Sequence, residues 1–177
     1  MRGFLAGFAI FGIAVMILSI SSGCGSTRMQ VLQASALPRA QDSVQLVALP
    51  LQHKSPFMEA VAESFDRKLR HYLYDGTGLK DGAGIRIEYR FFQIDPGDRT
   101  LRFLIGFGAG KGSVTLGVTY FDASGEEIAK IQVESEVTDG LTGGSFEDRV
   151  DKAARIVADY TLHQVLGRTT PGARGQP

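Results

Sequence analysis

Residues 113–137 read SVTLGVTYFDASGEEIAKIQVESEV, and the pattern in this stretch decides the fold. Apolar residues occupy every second position of residues 114–120, and a similar alternation runs through residues 129–137. A period of two is typical of strands with one buried face. The turn at residues 122–125 ends in glycine, which is typical of a hairpin. The sequence therefore predicts two antiparallel strands whose second face is polar.

Helices are predicted on either side of this hairpin. Ser55 and Pro56 form a typical helix start, with serine as the N-cap and proline in the first turn. Apolar residues then recur at helical spacing, at Phe57, Val61, Phe65, Leu69 and Tyr72. Gly76 marks the predicted end of this helix. The second helix begins at Ser145 and continues to Gly167, and its apolar stripe contains Phe146, Val150, Ala153, Ala154, Val157 and Val165.

Two further strands are predicted before the hairpin. Residues 44–51 form an apolar run that favours a buried strand, and residues 85–91 alternate between apolar and charged side chains. Residues 99–105 are ambiguous and favour a short helix over a strand. The order β-α-β-β-β-α predicts a two-layer α+β fold, in which a mostly antiparallel sheet of about four strands carries both helices on one face. This single domain would span residues 43–166.

The N-terminus, at residues 1–23, has the organisation of a secretory signal peptide. A basic residue, Arg2, precedes an uncharged and largely apolar stretch, which ends in small residues before Cys24. This junction resembles the bacterial lipobox, with cleavage between Gly23 and Cys24, although Ser21 stands where leucine is usual. An uncleaved membrane-spanning anchor and ordinary secretion with a free thiol are the two alternatives.

The lipobox resemblance implies that acyl chains are attached to the thiol and to the new amine of Cys24. Two or more chains give a stable membrane anchor, whereas one gives only marginal binding. Cys24 is the only cysteine, so no disulfide competes for its sulfur. By resemblance to other lipoproteins, Gly25 indicates sorting to the outer membrane, with the domain facing the periplasm. Residues 24–42 are then a tether, with a short strand considered at residues 29–32, and residues 167–177 are a disordered tail.

Composition and motifs exclude several other functions. The 19 basic and 19 acidic residues balance, and no basic stripe indicates nucleic acid as a partner. The glycine-rich residues 106–113 fit neither the Walker nor the Rossmann pattern, so we expect no nucleotide and no cofactor. His53, His71 and His163 lack metal-ligand spacing, and no nucleophile motif indicates an enzyme.

The glycine-rich stretch also carries a resemblance to a known family. The core GFGAGK at residues 106–111 is entered from LRFLI at residues 101–105, and the alternating strand and an Asp-x-x-Gly turn follow it. This arrangement resembles a family of uncharacterised bacterial lipoproteins, a domain of unknown function, over about residues 44–166. The resemblance implies an envelope lipoprotein without an established activity, and it assigns no catalytic residues.

One apolar cluster next to the glycines allows two interpretations. Large apolar residues are dense there, at Leu101, Phe103, Leu104, Ile105 and Phe107. Burial in the core is one interpretation, and contact with a membrane or a protein partner is the other.

Together these features predict a class of function without identifying a process. We expect a non-enzymatic lipoprotein of the cell envelope that acts through protein partners in assembly, transport support or structure. A periplasmic module that binds a small molecule or a lipid is the alternative, and a hydrolase is a third hypothesis. A deep pocket with convergent polar groups would favour the alternatives, whereas a filled core with a flat polar sheet face would favour the first.

Overall fold

The computed structural model describes residues 27–35, 40–95, 112–136 and 145–168. The described residues form six strands and two helices. The strands are β1 (Thr27–Gln33), β2 (Ser43–Ala48), β3 (Lys80–Asp81), β4 (Ile85–Asp95), β5 (Ser113–Asp122) and β6 (Glu127–Glu136). The helices are α1 (Pro56–Tyr74) and α2 (Phe146–Tyr160), and a π-helical turn at Thr161–Val165 continues α2.

All six strands belong to one mixed sheet with the order β1-β6-β5-β4-β2-β3. The pairs β1–β6, β6–β5 and β5–β4 are antiparallel, whereas β4–β2 and β2–β3 are parallel. The parallel pairing follows from α1, because this helix carries the chain from the end of β2 back to the start of β4. The predicted α+β class is confirmed. The predicted strand arrangement differs in detail, since the described residues form six strands rather than about four, and two of the five pairings are parallel.

The two additional strands lie at the edges of the sheet. β1 falls within residues 24–42, which the sequence predicts as a tether with at most a short strand at residues 29–32. It pairs with β6 from Thr27 to Gln33, so seven residues of the predicted tether belong to the sheet. Six of its seven residues are exposed, and burial therefore imposes little alternation on its sequence. β3 has two residues, too few to leave a periodic signal.

The C-terminal boundary of the domain also lies beyond the predicted one. Residues 167–177 are predicted as a disordered tail, yet the Arg168 guanidinium makes three hydrogen bonds to the domain. It donates hydrogen bonds to the Thr77 carbonyl at 2.7 Å, the Gln41 carbonyl at 3.1 Å and Asp42 Oδ1 at 3.0 Å. The domain therefore extends to Arg168, and the rest of the predicted tail lies outside the described residues.

Both helices begin where the sequence predicts. Ser55 Oγ accepts a hydrogen bond from the Met58 N–H at 3.2 Å, and Ser145 forms a capping box with Asp148. Caps of this kind stabilise a helix start by about 1 kcal/mol. Gly76 follows α1 with a φ of 74°, a conformation that glycine adopts without steric cost.

The core lies between the sheet and the two helices, which pack on one face of the sheet. The helices contribute Val61, Phe65, Leu69, Leu73, Val150, Ala153, Ala154 and Val157 to it. The strands contribute alternate residues, such as Val44, Ile87, Leu116, Val118, Ile131 and Val133. The predicted stripes are buried except at their margins, where Phe57 is 40% exposed and Tyr72 and Phe146 are half-buried.

The layers give the domain two different ends. β2, β4 and β6 run in one direction, and both helices run in the opposite direction, side by side. The first turns of the two helices are in contact, and so are their C-terminal halves. We call one of the two ends the loop end. Both helices begin there, β4 ends there at Asp95, β5 begins at Ser113 and β6 ends at Glu136. The cleft end is opposite, at Asp42, Thr77 and Arg168. Residues 99–105, ambiguous between helix and strand, lie outside the described residues.

Candidate functional site

The predicted lipidation site and the apolar cluster lie outside the described residues, but the points where their segments join the sheet are described. Cys24 and the cleavage junction precede β1, whose first residue, Thr27, pairs near the end of β6. The apolar cluster at residues 101–107 lies between Asp95 and Ser113, which pair with each other across β4 and β5. Both segments therefore join the sheet at the loop end.

The start of β1 is held at the loop end by its partner strands. Thr27, Ser135, Val114 and Ile94 lie side by side across β1, β6, β5 and β4. The hydroxyl oxygens of Thr27 and Ser135 are 3.1 Å apart, and this hydrogen bond satisfies Ser135, which is 1% exposed. A buried hydroxyl needs such a partner. An acyl group on Cys24 would be separated from the sheet by two residues.

An aromatic pair lies on the surface of the loop end. Phe57, in the first turn of α1, contacts Phe146, in the first turn of α2, with ring centroids 5.2 Å apart. Phe57 is 40% exposed, and Leu51 and Met58 are half-buried against the core nearby. The sequence predicts both rings as core residues of the helices, whereas the structure places them at the margin of the core. This pair is a candidate contact surface.

The second face of the sheet is polar, and no helix or strand among the described residues covers it. It carries half-exposed side chains along β5 and β6, such as Thr115, Thr119, Gln132 and Glu134. At its cleft-end side, the Arg86 guanidinium lies 4.5 Å from the centre of the Phe121 ring and 3.4 Å from Glu88. We call this surface the open sheet face.

An exposed aromatic side chain, Phe92, interrupts the open sheet face. Phe92 follows the alternation of β4 onto this face, just where the strand register shifts between Phe91 and Gln93, and it is 53% exposed. Its ring lies over Gly117, since a Cβ at that position would be 2.7 Å from Phe92 Cε2. Only glycine permits this close approach. Phe92 therefore forms an apolar contact point in the middle of a polar surface.

A polar cluster connects the two helices. Ser64 Oγ donates a hydrogen bond to Glu147 at 2.6 Å, and the Tyr72 hydroxyl donates one to Asp151 at 2.7 Å. Lys68 Nζ lies 3.3 Å from Glu147 and 3.4 Å from Asp151. The hydrogen bond from Ser64 lowers the pKa of Glu147. Burial alone would raise the pKa of Asp151, but hydrogen bonds from Tyr72 and Lys68 outweigh burial and lower it.

We expect this cluster to make the domain less stable in acid. Because the folded-state pKa values are lowered, the stabilisation is present above the unfolded-state values of 4.5 for Glu147 and 3.8 for Asp151. It is lost as the pH falls through the lower folded-state values. For Lys68, burial lowers the pKa, but hydrogen bonds to the two carboxylates raise it above 10.5. Titration of Lys68 itself therefore removes its contribution only above pH 10.5, and in acid the contribution falls because the carboxylates bind protons.

Urea unfolding of Lys68→Met near neutral pH and at about pH 3 tests this expectation. The Glu147 side chain is 54% exposed, so solvent screening limits the loss near neutral pH to about 1 kcal/mol or less. The loss should shrink at the lower pH, where the carboxylates bind protons in both variants. Lys54→Met is the control because Lys54 is an exposed lysine. An equal loss for Lys68→Met at both pH values would contradict the prediction.

A half-open cleft of about 880 Å³ lies at the cleft end. Its lining combines apolar and polar side chains, among them Tyr72, Arg155, Ala158, Asp159, Leu162 and Leu166. Arg155 donates a hydrogen bond to the Tyr72 hydroxyl at 3.1 Å, and its guanidinium lies 5.0 Å above the ring. This volume and mixed lining are typical of sites for small organic molecules. No pattern in the sequence predicts the cleft, because the segments that border it are far apart in the chain.

The histidines are exposed side chains on different elements. His71 Nδ1 lies 2.6 Å from Asp75 Oδ2, and His163 Nδ1 lies 2.7 Å from the Arg168 carbonyl oxygen. His53 lies in the loop before α1. Within the described ranges, no group of three His, Cys, Asp or Glu side chains is arranged to hold a metal ion. Over the same ranges, no helix combines the length and apolar character needed to cross a membrane.

The fold and its surfaces define a two-layer α+β domain with one open sheet face. The chain belongs to the family described as Domain of unknown function (DUF4410), whose model matches residues 49–140. This match confirms the resemblance to a domain of unknown function, over a shorter range than the expected residues 44–166. No curated protein matches the sequence.

The chain is also similar to two solved structures. One is a dodecamer of a PelC variant from Paraburkholderia phytofirmans, which is 13% identical with a TM-score of 0.49, covering 80% of this chain and 98% of that chain. The other is a PelC dodecamer from the same organism in space group P6, which is 14% identical with a TM-score of 0.47. It covers 74% of this chain and 96% of that chain. Neither likeness assigns a function to this chain.

Proposed function

We propose that the protein is a lipid-anchored domain of the bacterial cell envelope that acts without catalysis, through protein partners, in envelope assembly, transport support or structure. The N-terminal sequence carries this proposal, with a basic residue, an apolar stretch and small residues before Cys24. Acyl chains on Cys24 would confine the domain to a bilayer surface. We propose that the domain then faces the periplasm, and by resemblance to other lipoproteins Gly25 indicates the outer membrane.

The short connection between Cys24 and the sheet supports an anchor of this kind. Two residues separate Cys24 from Thr27, so the lipid would be coupled closely to the folded domain. The apolar cluster belongs to a segment that joins the sheet at the same end. We therefore assign contact with the membrane or a partner to its members, which are Leu101, Phe103, Leu104, Ile105 and Phe107.

The open sheet face is the surface that we assign to protein partners. Protein interfaces that form and dissociate are largely polar, with aromatic side chains and arginine enriched at their centres. Phe92 lies over Gly117, and Gly117 pairs with Arg90 on one side and Gln132 on the other. The face therefore combines an exposed aromatic ring with a neighbouring arginine and amide. The core behind it is occupied by buried apolar side chains.

Site-specific photo-crosslinking in cells tests this assignment. A photo-reactive residue in place of Arg90 would lie on the open sheet face, and one in place of Ala60 would lie on the exposed side of α1. We expect covalent adducts with one or a few envelope proteins from position 90, and far weaker adducts from position 60. Equal labelling from both positions, or no adduct from position 90, would contradict a partner on this face.

The cleft favours a second candidate function, a periplasmic module that binds a small molecule or a lipid. Its volume and its apolar and polar lining fit an organic ligand. Native mass spectrometry of the protein released from membranes distinguishes the two candidates. A discrete non-covalent ligand, lost when Leu162→Trp fills the cleft, would favour the binding module. A ligand-free protein that still forms adducts from position 90 would favour the partner-dependent function.

A further inference from the structure

We propose that the domain stands on the bilayer with its loop end, so that the cleft end points away from the membrane. This inference rests on the proposed lipid anchor at Cys24 and adds an orientation that the anchor alone does not fix. The lipid surface is the partner that we assign to the aromatic pair of Phe57 and Phe146. The cleft is then presented to the periplasm.

The length of the chain between the anchor and the sheet supports this orientation. Three residues at full extension span at most about 11 Å, so Cys24 lies within that distance of Thr27. Thr27 pairs with Ser135 at the loop end. β5 has 10 residues. At about 3.3 Å per residue, the cleft end lies roughly 30 Å further along the sheet. The anchor therefore holds the loop end close to the bilayer and leaves the cleft end free.

The aromatic pair distinguishes an upright domain from one that lies on its side. Phe57 and Phe146 are in the first turns of the two helices, at the same end as Thr27. Phenylalanine is among the apolar residues by which surface helices enter the boundary between headgroups and acyl chains. An upright domain brings the exposed ring of Phe57 and the acyl chains of Cys24 to the same surface. Both then contribute to binding in one orientation.

The edge strand β1 is the surface on which a tilted domain would rest. Its exposed apolar residues are Met29, Val31 and Leu32. They extend along the strand away from Cys24, at the sheet edge opposite to β3. α1 packs over β4 through Phe65 and Tyr89, far from this edge. If the domain rested on β1, Phe57 would therefore not contact the lipid. The two orientations predict different residues in contact with the bilayer.

Fluorescence quenching in vesicles tests the orientation with the full-length lipidated protein. The vesicles are phosphatidylcholine with a lipid-bound quencher. Because Cys24 is acylated, an introduced cysteine is the only free thiol for a fluorophore. Lys54→Cys places the label at the loop end, and Lys80→Cys is its matched control at the cleft end. Leu32→Cys places it on the β1 edge.

We expect quenching several-fold stronger at position 54 than at position 80 or 32. Phe57→Ser should weaken the quenching at position 54 several-fold and leave position 80 unchanged, while circular dichroism reports an unchanged fold. Equal quenching at all positions, or the strongest quenching at position 32, would overturn the orientation. If Phe57→Ser left the quenching at position 54 unchanged, the role of the aromatic pair would be overturned.

Intact mass of each sample separates failure of this inference from failure of the anchor. Acylated protein with the wrong quenching pattern contradicts the orientation alone. Protein without acyl mass contradicts the anchor, and the orientation falls with it.

Discussion

Phe65→Ala is expected to lower the free energy of unfolding by about 3–5 kcal/mol, the largest loss that we expect from a single side chain. Phe65 is 0% exposed, and its ring centroid lies 5.1 Å from that of Tyr89 and 5.4 Å from that of Phe91. The ring therefore joins α1 to β4. Its removal loses the transfer free energy of the phenyl group and leaves a cavity where two layers meet. Domains of this size are typically stable by about 5–15 kcal/mol, so the loss is a large fraction of the total.

Urea unfolding measures this loss as a lower midpoint with a similar slope. Phe57→Ala is the matched control, because Phe57 lies on the same helix and is 40% exposed. Its expected loss is below about 1 kcal/mol. Similar losses for the two variants would contradict the placement of Phe65 at the centre of the core.

Cys24→Ser is expected to move the protein from the membrane fraction to the soluble periplasmic fraction. The variant is made on an ordinary cleavable secretion leader in place of residues 1–23, so that an uncleaved leader cannot hold it in the membrane. Each buried methylene of an acyl chain contributes about 0.8 kcal/mol. Since about 1.4 kcal/mol changes a partition ratio tenfold, the loss of the acyl chains should shift the ratio by many powers of ten.

Cell fractionation with and without detergent is the measurement. Ser26→Ala on the native leader is the control, because it changes the same segment and keeps Cys24. We expect this control to stay in the membrane fraction and to be released by detergent. A Cys24→Ser protein that remains membrane-bound after removal of its leader would show that something other than acylation holds it.

The sequence predicts the parts of the fold that leave a periodic signal. The alternation from Val114 to Tyr120 is fully realised, because every second residue of β5 is buried against the helices. The N-caps Ser55 and Ser145 are confirmed by their hydrogen bonds. The spacing of Asp66 and Arg70, four residues apart on a helix, also predicts an ion pair, and their side chains form one at 2.7 Å. These features depend on neighbours within one element, so local sequence determines them.

Features that depend on contacts between distant segments are not predicted from the sequence. β1 is exposed along most of its length, so its place at the sheet edge depends on pairing with β6. The Tyr89 hydroxyl donates a hydrogen bond to Asp66 at 2.6 Å, and burial raises the pKa of Tyr89. Nothing in the alternation of β4 indicates that partner.

The candidate surfaces divide in the same way. The sequence predicts the anchor at Cys24 and the apolar cluster at residues 101–107, because each is a short local motif. The cleft forms only when Gln41, Thr77 and Arg168 meet. On the open sheet face, the contact of the Phe92 ring with Gly117 forms only when β4 pairs with β5. Tertiary structure is needed to identify both surfaces.

The intact mass of the native protein, extracted from membranes by detergent, tests the lipid anchor most directly. We expect a polypeptide that begins at Cys24 and carries the added mass of a diacylglyceryl group and an amide-linked acyl chain. Fragmentation should place both on the first residue. A polypeptide that begins at Met1, or one whose single cysteine reacts as a free thiol, would contradict the account.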